Sequence, residues 1–456
     1  MNDARSNRST YLATDGAQIQ DPASYAIEYI RLYPNNNPGF TSGQSYCEIG
    51  ELVSKIEIVE SIFQASVVTN IFLRDATNMI ESFRISGNEK IEIKIFQDIV
   101  NIGKKEFDYT CYISDIINYS KPAISSQAFQ IQAVSEHAYL NQLTTLNEPF
   151  KGTAQELATK ICTSHLGLSG DFGSGGMIMK GIYPNLKPVQ AINWLARNAF
   201  DNGSSYFFWE QSKNKDRKGK QIKFNSYEDL VSQEPIEEYN NDPFYTQKER
   251  NDPQYYKSQL QKIKKMASDL NLSKYNDAPK GAYVSTLYSI DISTKERIPK
   301  KVHQYNDDVN KLNEFKPFSD NIEFGGQKLI DHKTAKKLYV NRNSLAFGST
   351  PNYHEHEVDN IQQSLIHLAN LEFMSHRLTL AGNTELCAGA VINLKIWKSV
   401  SPDRLEGSGD ELLDGYMSGK YLISKVTHVF DQTEYFCLAD VFKDSQKLDF
   451  DKEIKL

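Results

Sequence analysis

Paired cysteines, abundant tryptophan and long apolar runs are all missing from this sequence of 456 residues. No apolar stretch approaches the roughly 18 residues of a membrane-spanning helix, and residues 1–18 lack the apolar core of a secretory signal. The five cysteines are widely spaced and form no CxxC pair, which predicts neither a disulfide framework nor a cysteine-rich metal site: Cys47, Cys111, Cys162, Cys387 and Cys437. We expect a soluble protein that is made inside a cell and keeps its cysteines reduced.

The composition predicts several strand-rich domains with sizeable cores. Hydrophobic residues make up 39% and charged residues 24% of the chain, which excludes global disorder. At roughly 150 residues per domain, the length predicts about three domains. Tyrosine (25) and phenylalanine (23) far outnumber tryptophan (3), and both are typical of strands.

The net charge of -7 is unevenly distributed along the chain. Residues 245–350 hold 19 Lys and Arg against 12 Asp and Glu, so the remainder holds 32 against 46, a local charge of -14. A mostly acidic chain argues against wrapping of nucleic acid by the whole protein. The basic middle is interpreted as a solvated insertion, with a specific docking surface as the alternative.

Residues 21–148 are predicted to form a first β-barrel, preceded by a flexible arm over residues 1–20. Ile91, Ile93 and Ile95 alternate with charged residues, and similar period-two patterns cover residues 107–114 and 129–133. Strict alternation places one row of side chains in a core and the other in water. Several such strands at short spacing favour an antiparallel barrel or a sandwich.

Residues 149–235 are predicted to form an inserted α/β domain. Thr153 and Glu156 have the spacing of a capping box, and Pro188 suits the first turn of a second helix. Two strands follow, at residues 205–209 and 221–225, around a turn that is rich in Lys and Arg. This turn, residues 213–220, is interpreted as a solvated hairpin tip, although it could contact phosphate or an acidic partner.

Residues 236–350 are predicted to be an irregular basic insertion or linker that neighbouring subunits order, with one short helix carrying Tyr256, Leu260 and Ile263 on one face. Residues 351–456 are predicted to be a helix followed by a second β-barrel. The helix places Ile361, Leu365, Leu368 and Leu371 on one face. Strands are predicted at residues 392–396, 421–430 and 435–441. Because the two β-modules are not obviously alike in sequence, their duplication is inferred from pattern alone.

No motif predicts a catalytic, cofactor-binding or metal-binding residue, so we expect no enzymatic activity and no cofactor. His354-Glu355-His356-Glu357 is the densest group of potential ligands, but histidines at i and i+2 diverge on a helix. His428 lies within an apolar strand and is interpreted as a hydrogen-bonded core residue. The glycines of residues 173–176 lack the lysine and helix of a phosphate loop.

The order of several short motifs resembles the baseplate hub proteins of T-even-type contractile-tailed phages and the N-terminal part of type VI secretion spike proteins. The C-terminal motifs are Gly382-Asn383-Thr384, the strand over residues 391–397, Ser418-Gly419-Lys420-Tyr421, Val426-Thr427-His428 and Lys443-Asp444-Ser445. Residues 56–63, 67–75 and 87–91 resemble the first barrel of that family, and residues 193–196 and 205–210 its inserted domain. The resemblance spans residues 45–235 and 355–447 and leaves residues 240–350 unmatched.

This resemblance implies a fold and a role. The fold is mainly β with an α/β insertion, with two tube-like antiparallel β-barrels per chain. The role is a virion structural protein, the baseplate hub of a viral tail. It forms a homotrimer whose six barrels make a pseudo-hexameric ring between the tail tube and the spike, through which DNA passes during ejection. The implied partners are a second and third copy, the central spike protein, the tail tube or tube-initiator protein, baseplate wedge proteins and the tape measure protein, with DNA only in transit and no membrane insertion. The implied location is the tail baseplate of the virion, assembled in the host cytoplasm.

Two alternatives stay open at this point. The first is a spike or hub component of another contractile injection system; the spike itself is disfavoured because the sequence ends at Leu456, shortly after the second barrel. The second is a tail-associated glycan hydrolase, which would need a cleft with an acid and a base or nucleophile.

Overall fold

A computed structural model describes residues 24–35, 45–99, 103–169, 172, 176, 178–199, 205–212, 221–241, 255–270, 274–306, 310–348, 353–371, 373–399 and 412–452. The predicted arm at residues 1–20, the glycines of residues 173–175 and the basic turn at residues 213–220 lie outside these ranges. The prediction of a mainly β fold with inserted domains is confirmed.

The first β-module is an antiparallel sheet rolled around an apolar core. Its elements are β1 (Ala26–Tyr33), β2 (Cys47–Glu48), β3 (Val53–Ser61), β4 (Val68–Asp75), α1 (Met79–Ser82), β5 (Lys90–Ile99), β6 (Gly103–Ala123), β7 (Ser126–Val134) and α2 (Glu136–Leu143). The strand order is β2–β1–β5–β6–β7–β4–β3. Residues 47–61 pair with β1 at their start and with β4 along the rest, so this segment closes the barrel. The predicted row Ile91, Ile93 and Ile95 is fully buried.

The inserted α/β unit follows directly. It comprises β8 (Pro149–Gly152), α3 (Ala154–His165), β9 (Met179–Ile182), α4 (Pro188–Asn198), β10 (Tyr206–Gln211), β11 (Gln221–Ser226) and α5 (Tyr227–Val231). The predicted capping box is present, because the backbone N–H of Glu156 donates to Thr153 and the Glu156 carboxylate accepts from the Thr153 N–H. Pro188 begins α4 as predicted. The unit has an apolar cluster of its own.

Residues 236–350 were predicted to be irregular, but they contain several helices and strands. They contain β12 (Glu238–Asn240), α6 (Tyr255–Leu260), β13 (Ile263–Leu270), α7 (Lys274–Asp277), β14 (Val284–Asp291), β15 (Arg297–Gln304), β16 (Glu323–Phe324), β17 (Gln327–Lys328) and β18 (Lys337–Arg342). Strands β15, β14 and β18 form a separate sheet, in which β14 and β18 are parallel. The predicted short helix ends at Leu260, and Ile263 already belongs to β13.

The second β-module combines β12 and β13 with the C-terminal strands. After α8 (Tyr353–Leu371) come β19 (Met374–Ala381), β20 (Val391–Lys395), β21 (Gly419–Asp431) and β22 (Tyr435–Lys443). The strand order is β13–β19–β22–β21–β20–β12. A bridge between Asn240 and Lys262 returns from β12 to the start of β13, which closes the second barrel.

The buried face of α8 differs from the predicted apolar stripe. Ile366 and Leu371 are buried together with Gln362, His367 and Asn370. The Gln362 amide donates to the Ser285 carbonyl at 3.0 Å, and the Asn370 amide donates to the Ala282 carbonyl at 2.9 Å. The predicted residues Ile361, Leu365 and Leu368 instead line an open cleft against α4 and β10. The helix is therefore held by amide hydrogen bonds as well as by apolar contacts.

Candidate assembly site

The two β-modules are joined into one sheet by β21. The first part of this strand, Gly419 to Leu422, pairs with β20 of its own module. Its second part, Lys425 to Asp431, pairs on the same edge with β3 of the first module. One apolar cluster runs through both modules across this junction. A long strand with two successive partners therefore fuses the barrels edge to edge, a relationship that the sequence did not predict.

Five strands of one module correspond to five strands of the other. Starting from one edge, the orders β3–β4–β7–β6–β5 and β13–β19–β22–β21–β20 are the same, with antiparallel pairing throughout. The sixth strand differs, because β1 pairs antiparallel with β5 whereas β12 pairs parallel with β20. The duplication inferred from pattern is thus visible in the strand order.

The register of the strands makes this correspondence residue-specific. In β6 the pairing with β7 shifts between Ile113 and Asp115, and in β21 the pairing with β22 shifts between Ile423 and Lys425. A second pair of bulges lies at the module edges, after Val53 in β3 and after Ile263 in β13. Bulges are specific features of a sheet rather than random defects. Their matched positions show that the two modules correspond residue by residue.

The turns that precede β5 and β20 also match. Asn88 and Gly389 both adopt a left-handed backbone, with φ of 67° and 83°. The Asn88 N–H donates to the Ile113 carbonyl at 2.9 Å, and the Gly389 N–H donates to the Ile423 carbonyl at 2.8 Å. By this register Ile113 corresponds to Ile423, and the second half of β6 corresponds to the junction half of β21.

Two strand edges remain open in the part of the chain that the structure describes. The segment of β6 from Asp115 to Ala123 pairs with β7 on one side only, and β13 beyond Ile263 pairs with β19 on one side only. Both segments are largely exposed, and Tyr119 (49%) and Leu270 (44%) are large side chains that face solvent. Each is the counterpart of a strand that is paired at the internal junction.

The face of the joined sheet that points away from the core carries charges of both signs. Lys55 and Glu57 form an ion pair at 2.5 Å on β3, and Arg377 and Asp440 form one at 2.8 Å between β19 and β22. Lys425 is exposed beside them. Anionic and cationic side chains are therefore direct neighbours at two places on this face.

A buried carboxylate ties the junction to the inserted unit. Glu60 of β3 accepts backbone hydrogen bonds from Ser212 at 2.5 Å and from Ala388 at 2.6 Å. It is fully buried, and burial raises its pKa to about 7 in spite of these hydrogen bonds. Glu210 of β10 is also fully buried, accepts from the Val67 N–H at 2.8 Å and accepts from the Ser135 hydroxyl. The two carboxylates fasten three parts of the chain to one another.

Trp209 provides the apolar contact at the same place. Its indole N–H donates to the Ala388 carbonyl at 3.0 Å, and a Cβ on Gly389 would lie 2.5 Å from its ring. Only glycine therefore fits opposite this tryptophan without displacing it. Residues 205–210 of the inserted unit therefore pack tightly against the turn that precedes β20.

The motif Lys443-Asp444-Ser445 forms a second joint. Asp444 is buried, accepts from the Tyr227 hydroxyl and accepts from the Leu312 N–H at 3.1 Å, while burial raises its pKa. The Lys443 ammonium is buried against the Tyr416 carbonyl at 2.5 Å, and burial lowers its pKa to about 7. These residues hold neighbouring segments together.

The histidines noted in the sequence do not converge. His428 is fully buried, with Nδ1 2.8 Å from the Tyr435 hydroxyl, so the prediction of a hydrogen-bonded core histidine is confirmed. Burial lowers its pKa to about 4. His354 and His356 lie in the first turn of α8, where their side chains are outside the described set. Within the ranges that the structure covers, no group of three or more His, Cys, Asp or Glu side chains is arranged to hold a metal ion.

The described helices include none with the length and apolar character needed to span a membrane.

Two solved structures share this architecture over nearly their whole length. The tail protein of Neisseria meningitidis aligns over 92% of this chain and 97% of its own, with a TM-score of 0.51 and 11% identity. The 43 kDa tail protein of prophage MuSo2 from Shewanella oneidensis aligns over 93% of this chain and 100% of its own, with a TM-score of 0.50 and 10% identity. This chain has the fold of these two tail proteins. At these identities the likeness concerns the fold alone, and the fold-level resemblance predicted from the motifs is confirmed.

A component of the E. coli type VI secretion system, described as similar in structure to phage T4 tail proteins, aligns over 88% of this chain with a TM-score of 0.40 and 9% identity. No family model matches the sequence, and no curated protein is significantly similar to it.

Proposed function

We propose that this chain is a structural hub protein of a contractile-tail baseplate. Three copies form a ring of six β-modules that joins the tail tube to the central spike and leaves a passage for DNA. The observation that carries this proposal is the internal duplication: two modules with the same strand order and bulges, fused through β21 and β3.

Two equivalent modules per chain would let a ring of three chains match a six-fold tube. A contact that joins one edge of a module to the opposite edge of the next is heterologous, and repetition of such a contact closes into a ring when the rotation allows it. Three chains then supply six similar positions, which suits a six-fold tube on one side and a three-fold spike on the other. A trimer with a single module per chain would offer a hexameric tube only half the contacts.

The charge of the joined sheet fits a passage for DNA. Affinity for a DNA backbone comes mainly from arrays of Lys and Arg that neutralise phosphates. On the outward face the cations Lys55 and Arg377 are each paired with a carboxylate, Glu57 and Asp440. If this face lines the lumen, DNA passes it without being held.

The proposed partners follow from this position in the particle. They are two further copies of the chain, the spike, the tail tube or its initiator, wedge proteins of the baseplate and the tape measure protein, and the protein is a part of the virion tail that assembles in the host cytoplasm. We propose no catalytic role. Glu60 and Glu210, a close carboxylate pair, are both fully buried and accept backbone hydrogen bonds, as structural groups do.

Electron cryomicroscopy of the assembled particle tests this function. Tails would be purified through an affinity tag on this chain and reconstructed without imposed symmetry. The expected result is three copies in one ring between the tube and the spike, with two modules of each copy around the lumen. A chain found outside the central axis, or in six copies with one module each at the lumen, would refute the proposal.

A further inference from the structure

We infer that the two open edges pair with each other between copies: β6 from Asp115 to Ala123 in one copy lies antiparallel to β13 in the next. This inference rests on the proposed ring and specifies the contact that holds it together. The occupant of each edge is a second copy of this chain.

The internal junction provides the template for this contact. There, the half of β21 that extends beyond β20 pairs with β3. In the first module, β6 likewise extends beyond β5, whose pairing ends at Tyr112, and within the described ranges this edge of its remaining half has no partner strand. In the second module, β13 occupies the position that β3 has in the first, and no strand among the described residues pairs with its outer edge beyond Ile263. Each chain therefore holds one formed junction and the two halves of another.

The exposed character of both edges favours pairing. A long open edge invites association with another strand, and stable proteins usually protect such edges. Here β13 is open over most of its length, and the β6–β7 hairpin projects with Tyr119 and Ile124 in solvent. Polar backbone groups and apolar side chains on both edges would be covered at once by the same antiparallel ladder.

The template also predicts the register. At the junction Val426 pairs with Glu60 and Thr427 pairs with Val59. Matched bulges make Ile116 and Ile117 the counterparts of Val426 and Thr427. In the same way, β3 pairs with β4 and β13 pairs with β19, and β4 and β19 are equivalent strands. Following these registers makes Leu270 the counterpart of Glu60 and Asp269 the counterpart of Val59.

The predicted contact therefore places Ile116 opposite Leu270 and Ile117 opposite Asp269 of the next copy. Beyond Ile117, the left-handed Asn118 (φ 55°) inserts an extra residue into β6, which shifts the remaining pairs by one.

Disulfide trapping tests the register. Directly opposite residues of antiparallel strands have Cα atoms about 4.5–5.5 Å apart, within the range that a disulfide spans. The double variant Ile117→Cys with Asp269→Cys would be oxidised under mild conditions in the full-length chain, with the partly exposed Cys47 and Cys387 replaced by serine. Non-reducing electrophoresis then reports covalent species, and mass measurement of the reduced sample reports the number of associated copies.

Two variants serve as matched controls. Thr427→Cys with Val59→Cys places the same disulfide across the internal junction, so it forms within one chain and leaves the chain mass unchanged. Ile117→Cys with Lys264→Cys uses the same two strands several residues out of register and should not cross-link.

The expected result is a covalent trimer from the 117/269 pair and none from the 117/264 pair. A trimer in solution that the 117/269 pair fails to cross-link would overturn the strand pairing and leave the ring intact. Cross-linking by the 117/264 pair would overturn the register, and a protein that stays monomeric would overturn both the pairing and the ring.

Discussion

Ser114 and Ser424 occupy the same place in the two β-modules. Each lies at a bulge, and each donates its hydroxyl across the sheet to a backbone carbonyl, Gln132 or Asp440, at 2.9 Å in both cases. The two serines differ in their surroundings, because Ser424 is buried beside the junction with β3 whereas Ser114 is exposed at the open edge of β6. One serine thus lies beside a paired strand edge, and the other lies at an edge to which no further strand of the described residues is paired.

Serine-to-alanine variants should separate these two situations. Ser424→Ala leaves a buried carbonyl without its donor, and we expect a loss of about 1–2 kcal/mol in the free energy of unfolding. In an unassembled chain, Ser114→Ala should cost less than about 0.5 kcal/mol, because water replaces the hydroxyl. Urea unfolding of monomeric protein measures both values, and equal costs would contradict the difference in burial.

Equivalent core positions of the two modules should respond alike to substitution by a charged residue. Ile93 and Leu394 are both fully buried and correspond by register, since Ile93 pairs with Tyr109 and Leu394 pairs with Gly419. Aspartate at either position would bury an unpaired charge and should prevent folding. Soluble variants with an unchanged unfolding midpoint would show that the core is misassigned. Ile93→Val, at about 0.5–1.5 kcal/mol, is the tolerated control.

Three buried histidines predict a loss of stability in mild acid. Burial lowers the pKa of His367, His376 and His428 to about 4 each. Between pH 6.5 and 4 the unfolded chain therefore binds more protons than the folded chain. The contribution of these neutral histidines to the free energy of unfolding is complete above pH 6.5 and is lost as the pH falls towards 4. His428→Gln should reduce the loss between pH 7 and pH 5 by roughly 2 kcal/mol, measured by denaturant titration at each pH; an unchanged slope would contradict the burial of this imidazole.

The buried carboxylate of Glu60 should change stability with pH in the direction opposite to the histidines. Its pKa is raised by burial to about 7, so the folded chain holds a proton that the unfolded chain has released. Its contribution is present below about pH 4.5 and is lost as the pH rises through 7. Glu60→Gln should therefore remove a fall in stability between about pH 4.5 and pH 7, so that the rise which the histidines produce below pH 6.5 becomes steeper. An unchanged profile in this variant would show that the carboxylate is ionised in the folded chain.

The joint between Trp209 and Gly389 can be tested with one methyl group. Gly389→Ala places a Cβ 2.5 Å from the indole at a φ of +83°, so it adds a steric clash to backbone strain. Gly326→Ala is the matched control, because its φ is +74° and no atom lies within 4 Å of the added Cβ. We expect the Gly389 variant to lose at least about 1–3 kcal/mol more than the control by thermal or urea unfolding. Equal losses would show that the tryptophan is not tightly packed.

The sequence predicted those parts of the fold in which one face of a strand is buried and the other is not. Ile91, Ile93 and Ile95 alternate with charged residues because β5 has a core on one side and water on the other. The capping box at Thr153 could also be predicted from the sequence, because its hydrogen bonds are local. Motifs of both kinds depend on neighbours in the sequence.

The strands that the sequence missed lack this local signal. In β13, Lys264, Lys265 and Asp269 are all exposed, so the alternation of buried and exposed residues is lost. The junction of β3 with β21 joins strands from opposite ends of the chain, and β14 pairs with β18 although β15, β16 and β17 lie between them in the sequence. Only the assembled registers reveal these relationships, and with them the candidate assembly site.

The mass of the purified chain in solution tests the central claim most directly. Native mass spectrometry at micromolar concentration, alone and with the co-expressed spike, should give an assembly that contains three copies of the 51.9 kDa chain. A chain that stays at a single-copy mass under both conditions would contradict the ring.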